Sequence, residues 1–350
     1  MKPNPAPQRS YEFYQALPKV DLHRHLEGSL RLDTLIEVAR SHGLSIMSTA
    51  HLRGLVQVNE SEPYTYTNFL SKFETLRLFY RSPEIIGRLA REAIIDAADD
   101  NVRYLEMRFT PVALSKAQDF SLAEVMDWVI EGTRQACETH PIQVGLIASL
   151  NRHEAVELGE KVIQQAVDRM GQGIVGLDLA GNETAFPAGP FEGIFREAKQ
   201  AGLGLSVHAG EWSGPENVAE AIVELKADRI GHGVRVMEDS LVVDLARETR
   251  TPFEVCITSN FQSGVVADLA AHPLGSMLAA GLNATINTDD PRISQITLSN
   301  EYRVASETLG LPLSTLKECT LASARAAFLP PEGRQALVQS LSAEFKRYIP

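Results

Sequence analysis

The chain has 350 residues, 33 of them basic and 45 acidic, giving a formal charge of −12. That acidic excess works against broad attraction to nucleic acid or anionic membrane, both of which call for a basic face. A hydrophobic fraction of 44% supplies a sizeable core, and large α/β barrels reach this length as one domain.

The Pro-rich opening, residues 1–16, reads as an extension and carries no apolar run of signal-peptide length; no later stretch is long enough to span a bilayer. The first expected strand is KVDLH (19–23), inside the stretch VDLHRHLEG. On a strand His23 and His25 share a face while Arg24 points the other way. Their Cα atoms then lie about 6.6 Å apart, a span that one cation bridges with bonds of about 2.1 Å. About eighty residues separate this strand from the next, more than a crossover needs. RLDTLIEVARSHG, TNFLSKFETLRLFY and SPEIIGRLAREAIIDAADD read as helices within that interval. An insertion after the first strand of a barrel sits on the active face, so residues 30–100 are expected to form a helical lid.

Further strands are expected at 102–109, 142–150, 174–180, 203–209, 229–234, 253–257 and 283–288, with helical patterns between them. The alternation predicts a single-domain (β/α)8 TIM barrel over 1–350, although an open doubly wound sheet satisfies the same pattern. Cys137, Cys256 and Cys319 are odd in number and widely spaced, neither a zinc knuckle nor a disulfide framework. A reducing, cytoplasmic setting is the simplest reading.

Chemically capable residues recur at the ends of these strands. LSVHAGE places His208 and Glu211, RIGHGV places His232, NATINTDDP places Asp289 and Asp290, and LDLAGNE places Asp178, Gly181 and Glu183. One strand-end histidine is more often structural than catalytic, and Asp-Asp-Pro is a common turn opening. A barrel, however, gathers the C-terminal ends of all its strands around one mouth. His42, His51, His140, His153 and His272 fall in helices or loops and receive no role.

Three imidazoles and one carboxylate, from His23, His25, His208 and Asp289, suit one Zn²⁺ per chain, whose coordinated water would ionise near neutrality. IVGLDLAGNE has no lysine to bridge a second metal. Glu211, His232 and Asp290 remain as non-ligands in the same mouth. His232 suits orienting the water and accepting its proton, and Glu211 suits protonating the substrate if burial raises its pKa.

HxHLEG, LDLAGNE, VHAGE, RIGHG, TSNFQSG, AHPL and NTDDP occur in the order found in the adenosine deaminases of the amidohydrolase superfamily, and the chain resembles that family over about residues 17–330. The resemblance implies zinc-dependent hydrolysis of the 6-amino group of adenosine or deoxyadenosine, giving inosine or deoxyinosine and ammonia. It implies His23, His25, His208 and Asp289 as zinc ligands, Glu211 as proton donor to N1 and His232 as the residue acting on the water. It further implies Asp290 at N7 and Gly181 at N3, with His25 and Glu27 also meeting the substrate. Glu27 departs from the HLDG of many adenosine deaminases. HLEG is familiar in adenine deaminases and in enzymes of modified adenosines such as aminodeoxyfutalosine, which stand as alternatives; TSNFQSG pulls back toward adenosine.

A mononuclear amidase or esterase, and a metal-stabilised binding protein without turnover, are further alternatives. Gly181 and Asp290 weigh against the first, and Glu211 with His232 against the second. A nucleic-acid partner is disfavoured by charge and a membrane by hydropathy, and the sequence leaves the oligomeric state open.

Overall fold

The computed structural model describes residues 9–46 and 48–349. Of the expected extension, residues 1–8 lie outside the described residues, and Tyr11–Ala16 forms a short helix. Eight parallel strands follow in chain order: β1 (Lys19–His25), β2 (Val102–Phe109), β3 (Gln143–Asn151), β4 (Ile174–Ala180), β5 (Gly204–Ala209), β6 (Arg229–His232), β7 (Pro252–Val255) and β8 (Asn283–Ile286). Each is hydrogen-bonded to the next.

The chain segment after β8 returns to β1. Arg24 bridges Asp289, the His25 N–H donates to the Asp289 carbonyl at 2.9 Å, and the Asp289 N–H donates to the His23 carbonyl at 2.7 Å. These contacts close the expected (β/α)8 barrel and dispose of the open sheet. Among the described residues no helix is long and apolar enough to cross a membrane.

β6 stops at His232 because His232 (φ 57°) and Gly233 (φ 64°) turn the backbone into the left-handed region, where a strand cannot continue. Two long helices begin at side-chain caps that the sequence supplies. The Ser82 hydroxyl accepts from the Ile85 N–H with Pro83 in the first turn, and Ser121 with Glu124 forms a capping box. The Pro83–Asp99 helix buries Ile86, Leu89, Ala90, Ala93, Ile94 and Ala97, a helical stripe that covers the barrel wall. It packs on β2 and on the Leu122–Thr139 helix, as a crossover helix does. The preceding helices Leu32–Ser41 and Tyr66–Leu76 lie within the expected insertion, together with Thr49–Val56, a helix the sequence pattern did not announce.

The barrel interior is charged. Along β2, Tyr104, Glu106 and Arg108 alternate with Leu105, Met107 and Phe109, all of them buried. Arg108 pairs with Asp178 on β4 at 3.2 Å and with Glu254 on β7 at 2.8 Å, while Arg229 on β6 pairs with both Glu106 and Glu254. At the floor the Phe328 N–H donates to Glu106 at 2.6 Å, and the Arg229 guanidinium stands 3.5 Å from the centre of the Phe328 ring. Such a network is costly to bury unless its members are paired, and ion pairs here link floor to mouth, leaving Arg108 Nε without a partner.

Candidate active site

The top of the barrel opens into a cavity of about 560 Å³. His25, Glu27, Gly181, His208, Glu211, His232, Asp289 and Asp290 line it. His23 is fully buried behind its wall, with Nε2 3.3 Å from Asp289 Oδ1. All nine sequence-selected residues therefore converge on one place, from β1, β4, β5, β6 and the segment after β8.

His23, His208, His232 and Asp289 each offer a donor atom within 4.8 Å of the others. His25 joins them, with Nε2 3.2 Å from His208 Nε2 and 3.4 Å from Asp289 Oδ1. The mutually close set thus holds His232, while His25, expected as a ligand, brings its Nε2 close to His208 and Asp289 only. The set fits a divalent cation on two observations. His23 Nδ1 meets Glu254 Oε2 at 2.8 Å, which places its proton there and leaves buried Nε2 as a lone pair with no hydrogen-bond partner. His208 Nδ1 likewise meets Asp178 Oδ1 at 3.0 Å, so its Nε2 presents a lone pair to His25. Carboxylates behind ligating imidazoles set the tautomer and sharpen the lone pair.

Burial sets the direction at Glu211, Asp290, His25 and His232. At His23 and Asp289 it is outweighed: Asp289 and Glu254 raise the His23 imidazole, and the surrounding histidines lower the Asp289 carboxyl. Burial pushes the Glu211 carboxyl well above the usual range, with Asp289 and Glu183 adding to the rise. Asp290 is pushed up by burial, then by Asp289, Glu27 and Glu211. His25 and His232 are pushed well below ordinary imidazole by burial. At Glu254 burial is overcome by Arg108 and Arg229, which hold the carboxylate ionised.

Backbone geometry is specialised at the same residues. Asp289 (φ 62°) and His232 (φ 57°) hold left-handed conformations that cost a non-glycine residue free energy. Gly28 is required where it stands, since a Cβ there would lie 1.8 Å from Asp290 Oδ1. Gly181 (φ 94°) turns its bare backbone to the cavity beside Asn151.

Glu183, quoted in LDLAGNE without a role, holds the turn that carries Glu211. Its carboxylate accepts from the N–H groups of Gly210 (3.0 Å), Glu211 (2.7 Å), Trp212 and Ser213 (2.8 Å), and from Asn217 Nδ2 (3.0 Å). Sequence reasoning also missed Glu254 and Arg108, because their partners lie on other strands, the two residues themselves being 146 apart in the chain. Asn260 and His272 were missed as well; the only signal was their presence in TSNFQSG and AHPL. Asn260 Nδ2 lies 3.1 Å from His232 Nδ1. Phe69, Leu70, Phe73 and Arg77, from the helix Tyr66–Leu76 and the turn after it, form the cavity's outer wall.

The family model described as adenosine deaminase matches residues 18–344. The chain belongs to the adenosine deaminase family. It is 38% identical over 333 residues to an adenosine deaminase of Escherichia coli, covering 94% of this chain and 98% of that protein. Among solved structures it resembles an adenine deaminase of Arthrobacter aurescens, with a TM-score of 0.85 and 26% identity over 94% of this chain and 99% of the other. An N6-mAMP deaminase of Arabidopsis gives a TM-score of 0.86 and 29% identity over 95% and 99%. Family membership makes the chain a hydrolase acting on 6-aminopurines, with a His/Asp cluster fit for a metal. The relatives differ in what surrounds the purine.

Proposed function

We propose that the chain deaminates adenosine and deoxyadenosine to inosine and deoxyinosine with release of ammonia. The observation that carries this reading is a pair of buried carboxyls, Glu211 and Asp290, that line one cavity with the histidine cluster and whose proton affinity burial raises. N1 and N7 of a 6-aminopurine are acceptors, so they need donors, and a neutral carboxyl is one.

In this reading His23, His25, His208 and Asp289 hold one Zn²⁺. The cation supplies Lewis acidity that brings the pKa of a water down toward neutrality. Glu211 gives its proton to N1 while an oxygen adds at C6, so the ring nitrogen takes up the electron pair as a neutral N–H. Asp290 donates to N7 and fixes the ring plane. The Gly181 N–H faces N3, where a side chain would hold the ring away. One proton of the attacking water passes to the amino group, which leaves as ammonia as the C6–N6 bond breaks, and the other returns to Glu211, leaving the 6-oxo purine protonated at N1. Phe69, Leu70 and Phe73 act as a lid that keeps bulk water from the reacting carbon. Three cysteines without a disulfide fit a reducing, cytoplasmic setting.

A second reading is a 6-aminopurine nucleoside with a larger or anionic 5′ substituent, such as aminodeoxyfutalosine. Arg77 favours it: the residue lines the cavity, has no hydrogen-bond or ion-pair partner among the described residues, and is felt electrostatically by Glu27. Ammonia release with adenosine, deoxyadenosine, adenine and AMP, before and after chelation, separates these. Chelator-sensitive turnover of the two nucleosides supports the first reading. Turnover of adenine alone overturns it, and preference for AMP moves the assignment to the second. Glu211→Gln should abolish turnover with metal content unchanged; wild-type turnover in that variant removes Glu211 from the mechanism.

A further inference from the structure

His232 offers Nε2 to the same point as the four proposed ligands, yet a chain of hydrogen bonds behind it decides what that nitrogen can do. The chain starts at a donor that permits no choice. The Leu274 N–H lies 3.1 Å from His272 Nδ1 and donates to it, so Nδ1 carries a lone pair and the ring proton of His272 sits on Nε2. His272 is buried and its imidazole is pushed down to about 4 by that burial, so the ring is neutral at ordinary pH. Its Nε2–H lies 3.3 Å from Asn260 Oδ1 and donates to it. The amide oxygen of Asn260 is thereby turned to His272 and the amide nitrogen to His232. Asn260 Nδ2 then donates to His232 Nδ1 at 3.1 Å. A neutral imidazole that accepts at Nδ1 bears its proton on Nε2.

We propose that Asn260 and His272 are positioning residues that fix the proton of His232 on Nε2, making that histidine a hydrogen-bond donor at the reacting centre and barring it from the metal. The inference rests on the deaminase reading for its chemical meaning, although the tautomer stands on geometry alone. It has two consequences. His25, whose Nε2 meets His208 Nε2 and Asp289 Oδ1, completes the ligand set with His23, His208 and Asp289. His232 Nε2–H, 3.6 Å from Glu211 Oε2, is placed to donate to an oxygen adding at C6 and does not begin the reaction as the acceptor of its proton. Asn260 of TSNFQSG and His272 of AHPL thus act on the site through one imidazole, while Ser259 donates to Asp289 directly at 2.6 Å.

The test is the ¹⁵N resonance pattern of the histidine rings in the zinc-loaded full chain and in the zinc-free chain, with His232 assigned by its loss in His232→Gln. The expected result is Nδ1 in the unprotonated range and Nε2 in the protonated range, with or without zinc. Asn260→Asp places a carboxylate between two rings, accepts from both, and should move the His232 proton to Nδ1. His272→Ala frees the Asn260 amide and should leave His232 a mixture of tautomers, whereas His272→Gln keeps an N–H at the Nε2 position and should restore the wild-type pattern. Turnover should fall at least about 10-fold in Asn260→Asp and His272→Ala with KM changed less than about 3-fold, in keeping with the loss of a positioned donor. A wild-type His232 protonated on Nδ1, or a pattern unmoved by both substitutions, overturns the proposal. Failure of every 6-aminopurine to react would overturn the deaminase reading and leave the tautomer result standing.

Discussion

Glu183→Gln isolates the turn that carries Glu211. The wild-type carboxylate collects five donors, three on Oε1 and two on Oε2. A glutamine that keeps its carbonyl on the Oε1 side retains the Glu211, Trp212 and Ser213 N–H groups as weaker, neutral partners. Its amide NH2 then faces the Gly210 N–H and Asn217 Nδ2, two donors against a donor. An unsatisfied buried donor costs about 1–3 kcal/mol, so the pair costs about 2–6 kcal/mol. The turn can escape that cost by moving away, and a displacement of about 1 Å at a catalytic group lowers turnover by about 100-fold. The expected outcome is a fall in kcat of that order with KM and bound metal little changed, together with a lower urea midpoint. Ammonia release, metal analysis and denaturant titration on the same preparation read all three. A kcat within 3-fold of wild type would refute the claim that this carboxylate positions Glu211.

Gly28→Ala drives a Cβ onto Asp290, and a rise in KM of about 10-fold or more with kcat less affected should register in steady-state kinetics. Burial raises Glu301 to about 7, with the hydrogen bonds from Thr258 opposing the rise. A carboxyl raised on folding contributes stability that is complete below its unfolded pKa and is lost as pH climbs through 7, here about 3 kcal/mol between pH 4.5 and 7. Glu301→Gln should flatten that slope in urea titrations run across the interval; an unchanged slope would assign it to other groups. Removing the metal with a chelator should lower the unfolding temperature as well as turnover, because a ligand bound only by the folded state stabilises it by mass action. Melting curves with and without Zn²⁺ measure this.

Much of the fold was legible because parallel strands covered by helices write short apolar runs, and all eight lie within two residues of their expected ends. The site was legible because its residues cluster at those ends in local pairs, such as His23 with His25 and Asp289 with Asp290. What could not be read was pairing across the barrel. Glu254 is an ordinary strand residue until β7 sets it beside His23 and Arg108. Asn260 and His272 carry no periodic signal, and only the turn between them brings their side chains together. The helix Thr49–Val56 is short and interrupted by Gly54, so its period was too weak to see.

The floor of the barrel has a bearing on traffic. Phe328, Arg229 and Glu106 stop the lower end with packed, paired side chains, so among the described residues the cavity opens at the top, beside Phe69 and Phe73. Whatever enters must leave by the way it came, and ammonia formed deepest, against the histidines, sits behind the larger purine product.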